Sequence, residues 1–492
     1  MTEPAPTFTL ARHVLRKEVT ELVRDGRLGV VLLLSALLVL GALVFGWRDA
    51  SRAARERASA QHDSESHWVE QGEKNPHVAA HYGLWVFKPS GALAALDPGV
   101  SPHLGAALKL EAHRQNLAVA SAAEDSIGIQ RFGPLTAASV LQLLGPLLVI
   151  ALGFALWSSE RERGTLRLLR AGGASLTALS LGKSLALAAA VALMLVPAVV
   201  GALAAVAAVN AGGTSGATPG AANGTAARLA VLVTVYLAYF FVFMRLTVAV
   251  SAWASRSRDA LVVLVATWGV TALLVPRASA EVAALVVPLP SQDAFAAEVA
   301  SSLARGLPDQ PGRVERLEEL TKSMMAEQGF ADADVLMDDA LLQGIELRAE
   351  AAYEDEVFEW HVTRLMQALS RQEAVGQWMS VLSPTLAVRS LSAALCGTDF
   401  EHHRDFAAHA EQYRRTLVDR LNRDFAENAG RAGWDYRAGR ALWESAPRFE
   451  YALPSVPWVL RWQLPAVGWL LGWAGVSALL AHLAVRRQRV GA

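Results

Sequence analysis

Six stretches of about 20 mostly apolar residues recur along the chain, each long enough to cross the roughly 30 Å hydrocarbon core of a bilayer as a helix. They run Leu28–Trp47, Pro134–Trp157, Ser184–Val209, Leu229–Ser251, Ala260–Pro276 and Leu464–Val485. The rest of the composition agrees. Charged residues make up 18% of the 492 residues, against about 25% in ordinary soluble domains. The reading is an all-α polytopic membrane protein with six transmembrane helices and two large, mainly helical extracytoplasmic insertions. A net charge of −1 supplies no basic field for nucleic acid. The single cysteine, Cys396, excludes an intramolecular disulfide and a cysteine zinc site. The first stretch is not read as a cleaved signal peptide, because its leader is long and carries Glu18, Glu21 and Asp25.

Short loops orient such a bundle through their Lys and Arg. Basic residues precede the first span (Arg12, Arg16, Lys17, Arg24, Arg27). They also lie between spans two and three (Arg161, Arg163, Arg167, Arg170, Lys183), between four and five (Arg256, Arg258), and after the sixth (Arg486, Arg487, Arg489). The loop Asn210–Ala227 between spans three and four has no Lys or Arg. The expectation is that both termini are cytoplasmic and that segments 48–133 and 277–463 lie outside. Phe8, Ala11, Leu15, Val19 and Leu22 recur at helical spacing, predicting an amphipathic helix within 1–27 that lies on the cytoplasmic membrane surface. Segment 48–133 opens as a charged helix and turns loop-like around Asn75-Pro76, Lys88-Pro89 and Asp97-Pro98. Segment 277–463 reads as mostly helical, for example Gly344–Leu369, and neither shows long strand alternation. Loop 211–225 reads as a flexible connector rich in Gly, Ala and Thr.

After span two comes Glu160-Arg161-Glu162-Arg163-Gly164-Thr165-Leu166, closed by Gly172-Gly173 and followed by Gly182-Lys183. Alternating charge at a membrane exit makes a polar knob, either an anchor or a docking element for a cytosolic partner. This string resembles the cytoplasmic loop of ABC-2 type transporter permeases. Asn75–Gly83, Phe87-Lys88-Pro89, Leu96–Val100 and Glu111–Asn116 resemble the first outer segment of the permease subfamily carrying DUF3526. Ser383–Ala387, Gly397-Thr398-Asp399 with His402-His403, Glu411–Arg415 and Pro447–Tyr451 resemble its later blocks. Around Met337–Gln343, Met337-Asp338-Asp339-Ala340 departs from the Leu-Pro-Val-Asn-type turn expected of that subfamily.

The resemblance implies an exporting permease that is not itself an enzyme. It implies a separate ABC ATPase subunit holding ATP and Mg, a second permease copy or a related permease, and contact with membrane lipid in a bacterial inner membrane. It implies no cofactor on this chain, and it gives Glu160, Arg161, Glu162, Arg163, Gly164 and Thr165 as the ATPase-docking residues. Gly182-Lys183-Ser184 is spelled like the end of a phosphate-binding loop, but Thr177 stands where that motif needs Gly. Two other readings remain open: transmission of ATPase motion to an outer partner without cargo passage, and a membrane-anchored metal-dependent enzyme.

Ten of the 12 histidines fall in the two outer segments. Imidazoles bind copper, zinc or nickel, yet no HExxH or comparable spacing is present. His77, His81 and His113 form one candidate group; His402, His403 and His409 form another. Pro76 and the nearby turns speak against a shared helix face for His77 and His81. The expectation is packing histidines, no catalytic residue and no metal ligand. Arg245, inside span four, is expected to snorkel to the cytosolic interface rather than pair within the bundle. Pro146 and Pro197 are expected to kink spans two and three.

Overall fold

The computed structural model describes residues 7–119, 135–210, 221–329 and 339–488. Most of connector 211–225 and Met337-Asp338 therefore lie outside the described residues. Among those described, six helices are long and apolar enough to cross a membrane: Arg27–Val69, Ala137–Glu162, Leu176–Ala207, Gly224–Trp253, Ser257–Val286 and Leu464–Arg487.

Helix α1 (Thr7–Arg24) precedes the first span and buries Ala11, Val14, Glu18 and Leu22. Phe8 is exposed, so the packed face is rotated from the purely apolar stripe to include Glu18. Helix α2 (Arg27–Val69) runs 43 residues, about 65 Å at 1.5 Å per residue. The charged helix expected after the first span is thus its continuation, without a break.

The second span is α4 (Ala137–Ser139), a π turn (Val140–Leu144), α5 (Gly145–Gly153) and α6 (Ser158–Glu162). Pro146 has no N–H for the carbonyl of Gln142. Tyr239 Oη donates to that carbonyl at 2.6 Å, and Trp268 Nε1 donates to Leu143 O at 2.9 Å. After α7 (Thr165–Ala171) come two long spans, α8 (Leu176–Asn210) and α9 (Ala221–Trp253). Pro197 lies inside the unbroken α8. Gly182 of α8 meets α1, and a Cβ there would lie 2.6 Å from Ala11 O and from Val14 Cβ.

The fifth span is α10 (Ser257–Trp268), a π turn (Gly269–Leu274) and α11 (Val275–Val286). It continues past Pro276, where the sequence reading ended it, because the π turn before the proline accommodates the missing donor. The helices α12 (Gln292–Arg305), α13 (Arg313–Glu327) and α14 (Asp339–Met379) follow. Then α15 (Pro384–Cys396) turns back into the bundle, which the sequence reading had placed wholly outside. Val388, Leu391 and Leu395 are fully buried in the same core as the spans. Ser383 caps its start through Thr385 N (3.1 Å), and Gly397 at φ 75° ends it.

The second core joins both long segments. Helix α3 (Pro76–Tyr82) and a small antiparallel sheet of β1 (Leu84–Phe87), β2 (Ala107–Glu111) and β3 (Arg114–Gln115) lie against α16 (Phe400–Asn428). Trp68, Val86, Leu108, Phe406, Leu417 and Trp443 share one apolar cluster. Helices α17 (Arg440–Ser445) and α18 (Val456–Trp462) lead into the sixth span, α19 (Leu464–Arg487). The sheet was not expected: strands of four and five residues are too short to show alternation. Among the described residues, parts of both long segments thus share this second core, a composite domain beside the bundle.

Candidate functional site

Two polar assemblies stand out, one at the end of the bundle near the termini and one in the composite domain. The first is built on three consecutive residues of α6. Glu160 is 5% exposed and turns inward. It receives Lys183 Nζ of α8 at 3.2 Å, Lys17 Nζ of α1 and its own neighbour Thr165 Oγ1. Lys183 also meets Glu18 at 2.5 Å. Two lysines and two glutamates therefore balance one another, which is what buried charge requires. Burial alone would lower Lys17, but its bond to Glu160 and the charges of Glu18, Glu160 and Glu21 raise it above the ordinary lysine range.

The next residue, Arg161, donates to the carbonyls of Ser251 (3.3 Å) and Ala252 at the end of α9, groups a helix terminus leaves without internal partners. Glu162 then accepts from Ser257 N at 2.9 Å and Ser257 Oγ at 2.7 Å, capping the start of α10. So three adjacent side chains tie the loop to α1 and α8, to α9, and to α10.

The residues expected to dock an ATPase differ in their exposure. Glu160 and Arg161 face the protein, and Thr165 is occupied by Glu160. The surface left is Glu162, Arg163 and Gly164 with Arg167 and Leu168, the last 72% exposed. Gly164, at φ 70°, makes the left-handed corner between α6 and α7. Arg245 donates to Ser184 Oγ of α8 at 3.2 Å, and its Nε is buried without a hydrogen bond.

The sequence reading missed Lys183 and Arg228 as structural charges. Lys183 carried a signal, being a lysine inside an apolar helix. Arg228 of α9 donates to the carbonyls of Leu395 (3.1 Å), Ala394 (3.3 Å) and Pro454, and it meets His402 Nε2 at 3.2 Å. Since Arg228 can only donate, His402 Nε2 accepts. His402 Nδ1–H then donates to Asp399 at 2.5 Å. This chain closes the end of α15 against α16. His403 points elsewhere: it is buried, its Nδ1 has no partner, and burial together with the charge of Lys88 pushes it down to about 4. His409 is exposed and bonds the carbonyl of Asp405 at 2.8 Å. The group His402, His403 and His409 does not converge.

His77, His81 and His113 do. Asn75 caps α3, accepting from His77 N at 2.9 Å, and Pro76 occupies the first turn, where its fixed φ suits a helix. That corrects the reading of Asn75-Pro76 as a turn: His77 and His81, four apart, share one face. Gly83, at φ 60°, ends α3, and a Cβ there would sit 2.0 Å from Leu110 O. The close contact presses α3 onto β2. The β2–β3 turn is held to α3 by Ala112 N donating to Ala80 O at 2.9 Å. Its second residue, His113, has φ 64°, uncommon outside glycine.

His77 Nε2 lies 3.2 Å from His81 Nε2 and 3.3 Å from His113 Nε2. Behind them, His77 Nδ1 meets Asn422 Oδ1 of α16 at 3.0 Å, and His113 Nδ1 meets Glu354 Oε2 of α14 at 2.6 Å. Burial, then the two neighbouring imidazoles, lowers His77 despite its Asn422 bond, while burial and His113 lower His81. The Glu354 bond raises His113. His77 is buried, His113 half-buried and His81 exposed, so the cluster opens to the surface.

The fold and these sites define a helical membrane protein with a composite polar domain. Residues 292–452 match the family model of a domain of unknown function, DUF3526. That match covers α12 to α17, including Glu354 and Asn422 but none of the three clustered histidines. No curated protein and no solved structure matches the chain.

Proposed function

We propose that the chain is the membrane subunit of an ATP-driven exporter of the ABC-2 permease type, working with a separate ATPase subunit and a second permease copy or a related permease. One observation carries this reading: the exposed corner Glu162–Leu168 rests on a buried charge node that joins α1, α6 and α8 and on the caps of α9 and α10. A subunit that grips the corner differently in its ATP-bound and free states would shift four spans together. Gly182-Lys183-Ser184 lies within α8, and Lys183 is engaged by glutamates, so nucleotide chemistry is assigned to the partner. In this reading both termini face the cytoplasm of a bacterial inner membrane, and the composite domain gates or receives cargo outside.

A second reading, transmission of ATPase motion to an outer partner without cargo, draws on α2. That single helix runs from beside α1 to the composite domain, where Trp68 packs in the second core. The test is reconstitution with an ABC ATPase encoded beside this chain. The account expects co-purification and MgATP hydrolysis that changes on complex formation. An ATPase that neither binds nor responds to this chain contradicts it.

A further inference from the structure

We propose that His77, His81 and His113 form a binding site for a divalent transition-metal ion suited to imidazole, Zn²⁺ or Cu²⁺, with Glu354 and Asn422 orienting two of the three rings. This reverses the expectation from sequence spacing, and it stands independently of the transporter reading.

The donor geometry leads. All three rings offer a nitrogen within 4.8 Å of the others, and the two closest separations are 3.2 and 3.3 Å. Two imidazole nitrogens bound tetrahedrally at about 2.0–2.1 Å from one ion stand roughly 3.3 Å apart. The hydrogen bonds behind the rings lead to the same conclusion. An ionised carboxylate only accepts, so His113 Nδ1 carries the proton toward Glu354. His77 Nδ1 likewise donates to the Asn422 oxygen. With both rings neutral, the two Nε2 atoms then present lone pairs to one another across 3.3 Å. Face to face without a cation, those lone pairs repel; with one, they bind it. A second partner on the far ring nitrogen is the usual companion of a metal-bound histidine.

The chain also supplies the third ligand at some conformational expense, holding His113 at φ 64° in a two-residue turn. Non-glycine residues kept in that region mark positions whose placement matters. Three neutral nitrogens and no ligating carboxylate favour zinc, copper or nickel over magnesium or calcium. Three protein ligands with His81 exposed leave a coordination position for water or an exchangeable group.

The test uses the full chain in detergent, stripped with chelator, loaded with Zn²⁺ or Cu²⁺, desalted and analysed for metal. One ion per chain is expected. His81→Ala, at an exposed position, loses it; Glu354→Gln weakens affinity about 10–100-fold; His409→Ala, an exposed histidine outside the cluster, changes nothing. Cu²⁺ bound to the wild type should show nitrogen coupling from imidazoles in its electron paramagnetic resonance spectrum. Equal metal content in wild type and His81→Ala, or less than stoichiometric retention in the wild type under micromolar loading, overturns the proposal.

Discussion

Lys183, inside the third span, reaches Glu18 of the N-terminal helix at 2.5 Å, and both side chains are almost fully withdrawn from solvent. The pair fixes where α1 lies, since Gly182 next to it allows α1 to approach to backbone contact. Removing one partner of a buried pair leaves an uncompensated charge. Lys183→Met should therefore cost about 3–5 kcal/mol, read as a large drop in thermal stability in detergent. A change within the error of the wild-type midpoint would contradict the buried node. Glu160→Gln should also destabilise, whereas Arg163→Glu on the exposed corner should leave stability unchanged.

Gly182→Leu tests the same contact sterically. Its side chain would have to occupy space held by Ala11 and Val14, and overpacking of this kind costs about 1–3 kcal/mol. Limited proteolysis should cut α1 faster in the variant, with the composite domain unaffected. Unchanged cutting would mean that α1 does not depend on the crossing.

The spans were legible because length and apolarity alone decide them. What sequence could not supply was partnership over long separations. Helix α15 has 13 residues, too few for a span, and what shows it entering the bundle is its packing with the span core and its bonds to Arg228, Tyr236 and Tyr239, all distant in sequence. Glu160 looked like any loop charge until Lys17 and Lys183 converged on it. The three histidines were named as one group, but their convergence depends on reading Asn75-Pro76 as a helix cap and on a hairpin too short to predict. Glu354 and Asn422, far along the chain, could not have been paired with them from spacing.

His403 gives a pH prediction. Burial, then Lys88, depresses its folded value to about 4, below the ordinary value of about 6.5. The unfolded chain therefore binds the proton first. The stability His403 supplies is complete above about pH 6.5 and is lost as pH falls toward 4, by about 3 kcal/mol. His403→Asn should flatten that part of the stability profile. An unchanged slope would show that His403 is not held neutral.

Cys396 is buried at the end of α15, so it should not react with impermeant thiol reagents in intact membranes, and introduced cysteines will report cleanly. Ser255→Cys, in the short connection between α9 and α10, should be labelled only from the cytoplasmic side. Ser323→Cys, on α13, should be labelled only from outside. Labelling of both from one side would contradict the proposed topology.

The central claim is that the corner Glu162–Leu168 receives the ATPase. Leu168, 72% exposed on α7, is the position to measure. With Leu168→Cys and a short bifunctional crosslinker in the reconstituted complex, the account predicts a crosslink to the ATPase subunit whose yield changes with MgATP, and none from Ser323→Cys. No crosslink from position 168, or equal yields from 168 and 323, would contradict it.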